Sequence, residues 1–131
     1  MLNKLVGASM LSMGDVERRS LVLRGVLDLC MLSLLRERPV YGYELTQRLA
    51  EQNLQVSGGS TYPLLARLEK AGLVTTEVRP SPSGPPRKYY SLSPAGAETL
   101  AQGTADWLDV AASVTALLQS SAPIPSETEF A

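Results

Sequence analysis

The sequence predicts a single α+β domain that is mainly α-helical, and three observations support this prediction. The length of 131 residues suits one domain with one hydrophobic core. A composition of 44% hydrophobic and 19% charged residues is typical of a globular chain and not of a disordered one. Apolar residues recur with helical spacing over most of the chain, and only residues 73–92 combine strand-forming residues with a turn-forming segment.

The first predicted helix runs from about Glu17 to Arg36 and ends before Pro39, which cannot continue a helix. Apolar side chains cover most of its circumference, as is typical of a helix that is buried on several sides. Its longest apolar stretch, residues 21–35, is shorter than the roughly 20 residues that a membrane span needs. We therefore expect a buried helix and no association with a membrane.

Two shorter helices follow, over residues 44–52 and 61–71. A narrow apolar stripe places the first of them on the surface of the domain. Residues 57–60, with the sequence SGGS, precede the other, and either serine can cap the free N–H groups at its start. Arg67 and Lys70 share a face that the core-facing leucines do not occupy, so this third helix has a basic exposed side.

A β-hairpin is predicted next, because residues 73–78 and 87–92 are rich in strand formers and flank the turn-forming segment PSPSGPP. Ser93 then caps a helix whose first residue is Pro94 and whose helical pattern continues to about Gln119. A helix of about 25 residues is about 37 Å long. Such a helix extends beyond so small a domain.

The predicted C-terminal helix carries a seam of small and apolar residues at alternating steps of three and four. The seam consists of Ala97, Leu100, Thr104, Trp107, Ala111, Val114 and Leu118. Packing of the seam on its own domain is one interpretation, but the first helix already covers that core. We therefore favour a second copy of the chain, and the sequence predicts a homodimer through the seam from Leu100 to Leu118.

The order helix, helix, basic helix and hairpin is that of a winged helix-turn-helix, in which the third helix enters the DNA major groove. The predicted fold is therefore α+β, mainly α, with a winged helix-turn-helix and a long C-terminal dimerisation helix. It has four parts: a mobile N-terminal arm over residues 1–16, a winged-helix domain over 17–92, the dimerisation helix over 93–119 and a disordered tail over 120–131. Two further methionines in the arm, Met10 and Met13, leave open a later start of translation.

The net charge of −1 hides a strong segregation of charge along the chain. Residues 18–90 contain eleven Lys and Arg against six Asp and Glu, a net charge of +5, whereas residues 91–131 contain five acids and no base. A basic half suits a DNA partner. A winged-helix adaptor that binds proteins and not DNA is the alternative, but such a module would lack the basic face.

The sequence contains few of the residue types on which enzyme catalysis depends. The absence of His removes the commonest general base, and a single Cys leaves too few ligands for a zinc site. We therefore expect no enzyme activity, no metal and no cofactor. Cys30 lies in an apolar run and is expected in the core. Neither this single cysteine nor the N-terminal residues indicate export, so the expected location is the cytoplasm.

Seven short motifs occur in a fixed order between residues 20 and 119. They are LDL at 27–29, YGYEL at 41–45, GSTYPLL at 59–65, RLE at 67–69, AGLV at 71–74, GPPRKYYSL at 84–92 and PAG at 94–96. Together they resemble the PadR-like family of transcriptional regulators, in its short form with a single C-terminal helix. The resemblance implies a dimeric repressor whose C-terminal helix forms the dimer and whose ligand, when there is one, is a small and often aromatic molecule.

The residues predicted to contact double-stranded DNA are Ser60, Thr61, Tyr62, Arg67, Lys70, Arg87 and Lys88. Hydroxyl groups at a helix N-terminus suit phosphates and base edges, and a guanidinium suits guanine or phosphate. Capping or solvation is the alternative for the helix residues, and ordinary strand-edge charge is the alternative at the base of the hairpin. Tyr62 is equally suited to bracing the third helix against the second. Tyr43 and Tyr90 are predicted to be structural.

Trp107 is the predicted centre of an effector pocket. In a dimer its ring would face its twin across the two-fold axis, and two indoles form a slot for a flat ligand. Thr104 and Ala111 leave room beside the ring, and Asp106 or Asp109 would favour a cationic or hydroxylated compound. The sequence therefore predicts binding of a small aromatic effector here, with simple interface packing as the alternative.

Overall fold

The structure of the chain is a computed structural model that describes residues 14–54 and 61–120. In these ranges the elements are α1 (Asp15–Leu23), α2 (Leu27–Leu34), β1 (Val40–Tyr41), α3 (Gly42–Glu51), α4 (Thr61–Lys70), β2 (Val74–Ser81), β3 (Gly84–Leu92) and α5 (Pro94–Leu118). They confirm the predicted class, a mainly helical α+β winged helix-turn-helix with a long C-terminal helix. None of the helices described is both long and apolar enough to cross a membrane.

The single first helix predicted over residues 17–36 is wrong, because the chain turns at residues 24–26 and forms two helices. The turn contains Gly25, whose backbone freedom disfavours a helix interior. The backbone N–H of Val26 bonds back to the carbonyl of Leu23 at 2.9 Å. Apolar residues lie on both sides of the turn, which made the pattern resemble one helix. α1 begins at Asp15, so it includes the last residues of the predicted N-terminal arm.

The core lies between α2, α3, α4, the sheet and the first turns of α5. Each helix contributes residues at spacings of three and four, as an amphipathic helix does. The buried apolar side chains are Leu27, Met31, Leu32, Leu35, Val40, Leu45, Leu49, Leu64, Leu65, Leu68, Val74, Tyr90 and Leu100. None of the described side chains of α1 is among them, and Arg19 of α1 instead donates to the carbonyl of Asn53, just after α3, at 2.7 Å.

The three strands form one antiparallel sheet in the order β1-β3-β2. The long loop predicted over PSPSGPP is wrong, since the strands extend to Ser81 and Gly84 and leave a turn of two residues. β1 pairs only with Tyr89 and Tyr90, so the outer half of β3 has an open edge. Proline is tolerated at such an edge because no ladder hydrogen bond is lost there. For this reason Pro85 and Pro86 lie within β3, and Pro80 lies within the edge strand β2, whereas Pro82 lies in the turn.

α5 begins as predicted, with Ser93 as its cap and Pro94 as its first residue, and it ends one residue before the predicted end. The Ser93 hydroxyl accepts a hydrogen bond from the Gly96 N–H at 2.9 Å. The same hydroxyl donates to the carbonyl of Gly72 at 2.6 Å. Gly72 has a φ of +77°, which glycine adopts without strain, and it follows the end of α4. Ser93 therefore joins the start of α5 to the end of α4.

The structure corrects the predicted dimer seam at its first position. Leu100 is 5% exposed and belongs to the core of its own domain, because α5 packs against α2 along its first turns. Thr104 is half-buried, and beyond it every residue of α5 is exposed except Ala111. The exposed apolar side chains on this part of the helix are Trp107, Leu108, Val110, Val114, Leu117 and Leu118. The available seam therefore begins near Trp107.

Candidate nucleic-acid interface

α4 presents one polar and basic face to solvent. Leu64, Leu65 and Leu68 point into the core, and the helical period places the other side chains outward. Tyr62, Arg67 and Lys70, three of the residues predicted to contact DNA, all lie on this exposed face. Their common exposure is the arrangement expected of a helix that enters a DNA groove.

Two other predicted contacts on this helix have a different outcome. Thr61 is only 6% exposed, so its side chain belongs to the packed side of α4 and the structure corrects its assignment to DNA. Ser60 and the rest of the predicted capping segment, residues 57–60, lie outside the described residues.

Tyr43 of α3 and Tyr62 of α4 are both exposed and line the same cleft. Tyr43 is 58% exposed and Tyr62 is 56% exposed, so the structural role predicted for Tyr43 is wrong. Helical periodicity indicates this outcome, because Tyr43 lies about 200° around α3 from the buried Leu45. Gly42 makes room for the neighbouring ring, since a Cβ there would lie 2.7 Å from Cε1 of Tyr62. Tyr90, by contrast, is 7% exposed and buried as predicted.

A cleft of about 320 Å³ separates these tyrosines from the hairpin. Its walls come from the start of α3, the start of α4 and the outer half of β3. The lining residues are Tyr41, Gly42, Tyr43, Tyr62, Ser81, Ser83, Gly84, Pro85, Pro86, Arg87, Lys88 and Tyr90. The cleft therefore joins the exposed face of α4 to the wing, and the two form one continuous surface.

Arg87 and Lys88, predicted as equivalent contacts, project from opposite faces of the sheet because side chains alternate along a strand. Arg87 lies on the face away from the core, with its guanidinium carbon 4.5 Å from the ring centroid of Tyr41. Tyr41 meets Tyr89 edge to face at 5.6 Å, and Arg79 lies 4.7 Å from the Tyr89 centroid. These four side chains, here called the outer stack, turn Arg87 away from α4.

Lys88 lies on the same face of β3 as the buried Tyr90 and reaches back to α4. Its Nζ donates to Oε1 of Glu69 at 3.1 Å, and Thr76 donates to Oε2 of the same carboxylate at 3.0 Å. The hydrogen bond to Glu69 raises the pKa of Lys88, and the bonds from Lys88 and Thr76 lower the pKa of Glu69. Sequence reasoning missed Glu69, because its partner Lys88 is 19 positions away and no local motif links them.

Trp107 lies where two apolar grooves meet. The larger, of about 670 Å³, runs between α1, α2, α3 and α5 and also contacts Arg36 and Arg48. The smaller, of about 580 Å³, lies between α1, α2 and α5 and includes Asp106. Trp107 is 43% exposed and lines both grooves.

Cys30 also lines the larger groove and packs against the core. It is half-buried, and this burial raises the pKa of its thiol, which keeps the sulfur protonated and weakly reactive. No three His, Cys, Asp or Glu residues in the two described ranges lie together as metal ligands would.

The chain is similar to a known family along most of its described length. The family model for the transcriptional regulator PadR-like family matches residues 31–102. Transcriptional regulator Rv3488 of Mycobacterium tuberculosis is 37% identical over 79 residues, which cover 60% of this chain and 73% of that protein.

Two crystal structures show the same likeness. A PadR-like transcriptional regulator from Bacillus cereus is 40% identical, with a TM-score of 0.68 over 77% of this chain and 99% of the other. A PadR family transcriptional regulator from Eggerthella lenta is 37% identical, with a TM-score of 0.67 over 76% of this chain and 87% of the other.

Proposed function

The chain belongs to the PadR-like family of transcriptional regulators, and from this premise we propose that it is a cytoplasmic, homodimeric repressor that binds specific double-stranded DNA. The observation that carries the proposal is the continuous surface formed by the exposed face of α4, the cleft and the base of the wing. Because the family is one of transcriptional regulators, we propose no enzyme activity for the chain.

In the proposed complex α4 enters the major groove, where Arg67 pairs with guanine or a phosphate and Lys70 with a phosphate. The exposed Tyr62 and Tyr43 offer hydroxyl groups to the backbone beside the groove. Lys88 is the contribution of the wing, since it projects toward α4. A two-fold dimer would read a pseudo-palindrome whose half-sites are about one helical turn apart.

The alternative function, a protein-binding adaptor without DNA affinity, is less well supported. Residues 18–90 carry eleven Lys and Arg against six Asp and Glu, a net charge of +5. Two of these cations, Arg67 and Lys70, lie on the exposed face of α4. An adaptor gains nothing from this excess of positive charge, whereas a DNA-binding protein draws most of its affinity from such residues.

Replacing Arg67 by alanine is expected to weaken binding to a duplex enriched from a random library by the wild-type protein. The change removes a cation from the proposed DNA face, so affinity falls. If Arg67 contacts a phosphate in each half-site, the slope of log affinity against log salt becomes shallower by about 1.8, since each chain of the dimer loses one contact worth about 0.9. Fluorescence anisotropy at several salt concentrations measures both quantities.

Arg79→Ala is the matched control, because it removes the same side chain from the outer stack on the opposite face of the sheet, and Arg79 does not line the cleft. Its salt dependence should equal that of the wild type. Equal affinities for the wild type and Arg67→Ala would contradict the assignment of the α4 face, and no enrichment of any duplex would favour the adaptor.

We also propose that a small planar aromatic effector binds beside Trp107 and releases the DNA. The two grooves that meet at this ring support the proposal, since a binding site is concave and mostly apolar. An effector acts only through a difference in its affinity for the DNA-competent and incompetent dimers. It would do so by changing the spacing of the two α4 helices.

Titration with planar aromatic compounds is expected to quench the fluorescence of Trp107, the only Trp in the sequence. A panel of cationic, neutral and anionic rings distinguishes the groove that contacts Asp106 from the groove that contacts Arg36 and Arg48. Each quencher is then tested for its effect on DNA affinity, and again with Trp107→Ala once that variant is shown to dimerise. If the compounds that quench Trp107 never alter DNA affinity, Trp107 is an interface residue and not part of an effector site.

A further inference from the structure

One carboxylate on α4 joins the helix to both strands of the wing. Glu69 accepts from Lys88 of β3 through Oε1 and from Thr76 of β2 through Oε2, at 3.1 and 3.0 Å. The bond from Thr76 fixes the carboxylate, so its other oxygen stays aimed at the ammonium. Both partners of the ion pair remain accessible, with side-chain exposures of 47% for Lys88 and 39% for Glu69. A phosphate that approaches the wing can therefore reach Lys88 without any change in the fold.

From this geometry we infer that Glu69 competes with DNA phosphates for Lys88 and so weakens binding to non-cognate DNA. The inference rests on the proposed function. Non-specific affinity depends on how many phosphates the protein neutralises, because each one releases bound counterions. A lysine that is already paired with its own carboxylate neutralises fewer of them, and the carboxylate itself repels the backbone.

The competition between Glu69 and phosphate for Lys88 weakens cognate binding much less. Base contacts made by α4 would hold one phosphate beside the wing, whereas on non-cognate DNA no phosphate stays in place. An ammonium group has three N–H donors, so Lys88 can bond to a held phosphate and to Glu69 at once. Glu69 thus lowers non-cognate affinity more than cognate affinity, and we assign it as a residue that determines specificity.

The hairpin itself supplies a matched control. Glu77 accepts from Arg79 at 3.1 Å, and both residues lie on the face of the sheet that carries the outer stack. Glu77→Gln and Glu69→Gln each remove one negative charge and each release one cation of the wing. They differ in the face on which the cation is released, and only Lys88 faces α4.

The test compares the wild type, Glu69→Gln and Glu77→Gln on a random-sequence duplex and on an enriched duplex of equal length, over a range of salt. Glu69→Gln is expected to bind the random duplex several-fold more tightly, with a salt slope steeper by up to about 1.8, because each chain of the dimer contacts one further phosphate worth about 0.9. Its ratio of cognate to random affinity should fall. Glu77→Gln should match the wild type, and the steeper slope should vanish when Lys88→Ala is combined with Glu69→Gln.

Two further measurements make the result decisive. NMR titration of the Lys88 side chain should give a lower pKa in Glu69→Gln, which reports the ion pair without any DNA. Thr76→Val, which leaves Glu69 and Lys88 intact but frees the carboxylate, should show a smaller change in the same direction. If Glu69→Gln behaves like Glu77→Gln while the wild type binds DNA, the inference fails and the proposed function stands. If the wild type binds no duplex, both fail.

Discussion

Replacing Gly96 by alanine is expected to destabilise the protein strongly, although alanine favours helices. A Cβ at this position would lie 2.0 Å from the carbonyl oxygen of Leu73 and 2.9 Å from Cδ1 of Leu92. The Leu73 oxygen is backbone and already accepts from the Ser93 N–H at 3.1 Å, so it cannot move away freely. Alanine gains about 1 kcal/mol of helix propensity over glycine. Overpacking costs about 1–3 kcal/mol and occasionally more, and against rigid backbone we expect the upper end.

Gly103→Ala is the control for this prediction, because it places the same methyl group on the same helix. A Cβ there would lie 2.4 Å from Cδ2 of Leu29, the end of a flexible side chain that can rotate away. Urea denaturation followed by circular dichroism should show a large loss of stability for Gly96→Ala and a small change for Gly103→Ala. Equal stabilities would mean that α5 is not held against the α4–β2 turn as described.

The start of α5 could be predicted closely from the sequence, whereas the break in the first helix and the length of the hairpin could not. Ser93 and Pro94 act locally, as a cap and a first helical residue, so adjacent residues are enough to place the boundary. The break lies at Gly25, but apolar residues continue through it without a change of period, so the hydrophobic pattern does not reveal it. The prolines of the hairpin indicate a loop, but only Pro82 lies in the turn, and the open edges of β2 and β3 accommodate the other three in strands.

In the candidate site too, local patterns predict some of the arrangement, and only tertiary packing determines the rest. Helical periodicity predicts that Arg67 and Lys70 share an exposed face, and the structure places them there. Strand alternation places Arg87 and Lys88 on opposite faces of the sheet, although the sequence predicts both as DNA contacts. The pairing of Glu69 with Lys88 requires that α4 packs against a particular face of β3, which no spacing within one element reveals.

Within residues 14–54 and 61–120, the outer half of α5 presents a largely exposed apolar surface. Its exposed residues include Trp107, Val114 and Leu118, which repeat at steps of seven and four along one side of the helix. Monomeric proteins rarely expose a contiguous apolar patch of this kind. We therefore expect the face to be covered by the same face of a second chain, and the protein to have twice the 14.1 kDa mass of one chain in solution.

Replacing Val114 by glutamate is expected to convert this dimer into monomers. Two-fold symmetry places a carboxylate on both chains of the interface at once, and the described part of the seam from Thr104 to Leu118 contains no cation to pair with it. An unpaired buried charge costs about 3–5 kcal/mol. Since every 1.4 kcal/mol is about tenfold in Kd, dimer dissociation should be favoured by at least about a hundredfold. Light scattering over a range of protein concentrations measures the change.

Ala116→Glu is the matched control, because two residues further along α5 the side chain points to the opposite, solvent-facing side of the helix. This variant has the same net charge as Val114→Glu and should remain dimeric with unchanged DNA affinity.

The winged-helix domain of the Val114→Glu monomer should remain folded, which its thermal unfolding curve checks. It should lose binding to the enriched duplex, because a single α4 helix reads one half-site. A Val114→Glu protein that stays dimeric would show that the seam of α5 is not the interface. A monomer that still binds the duplex as tightly as the wild type would show that recognition does not depend on two-fold symmetry.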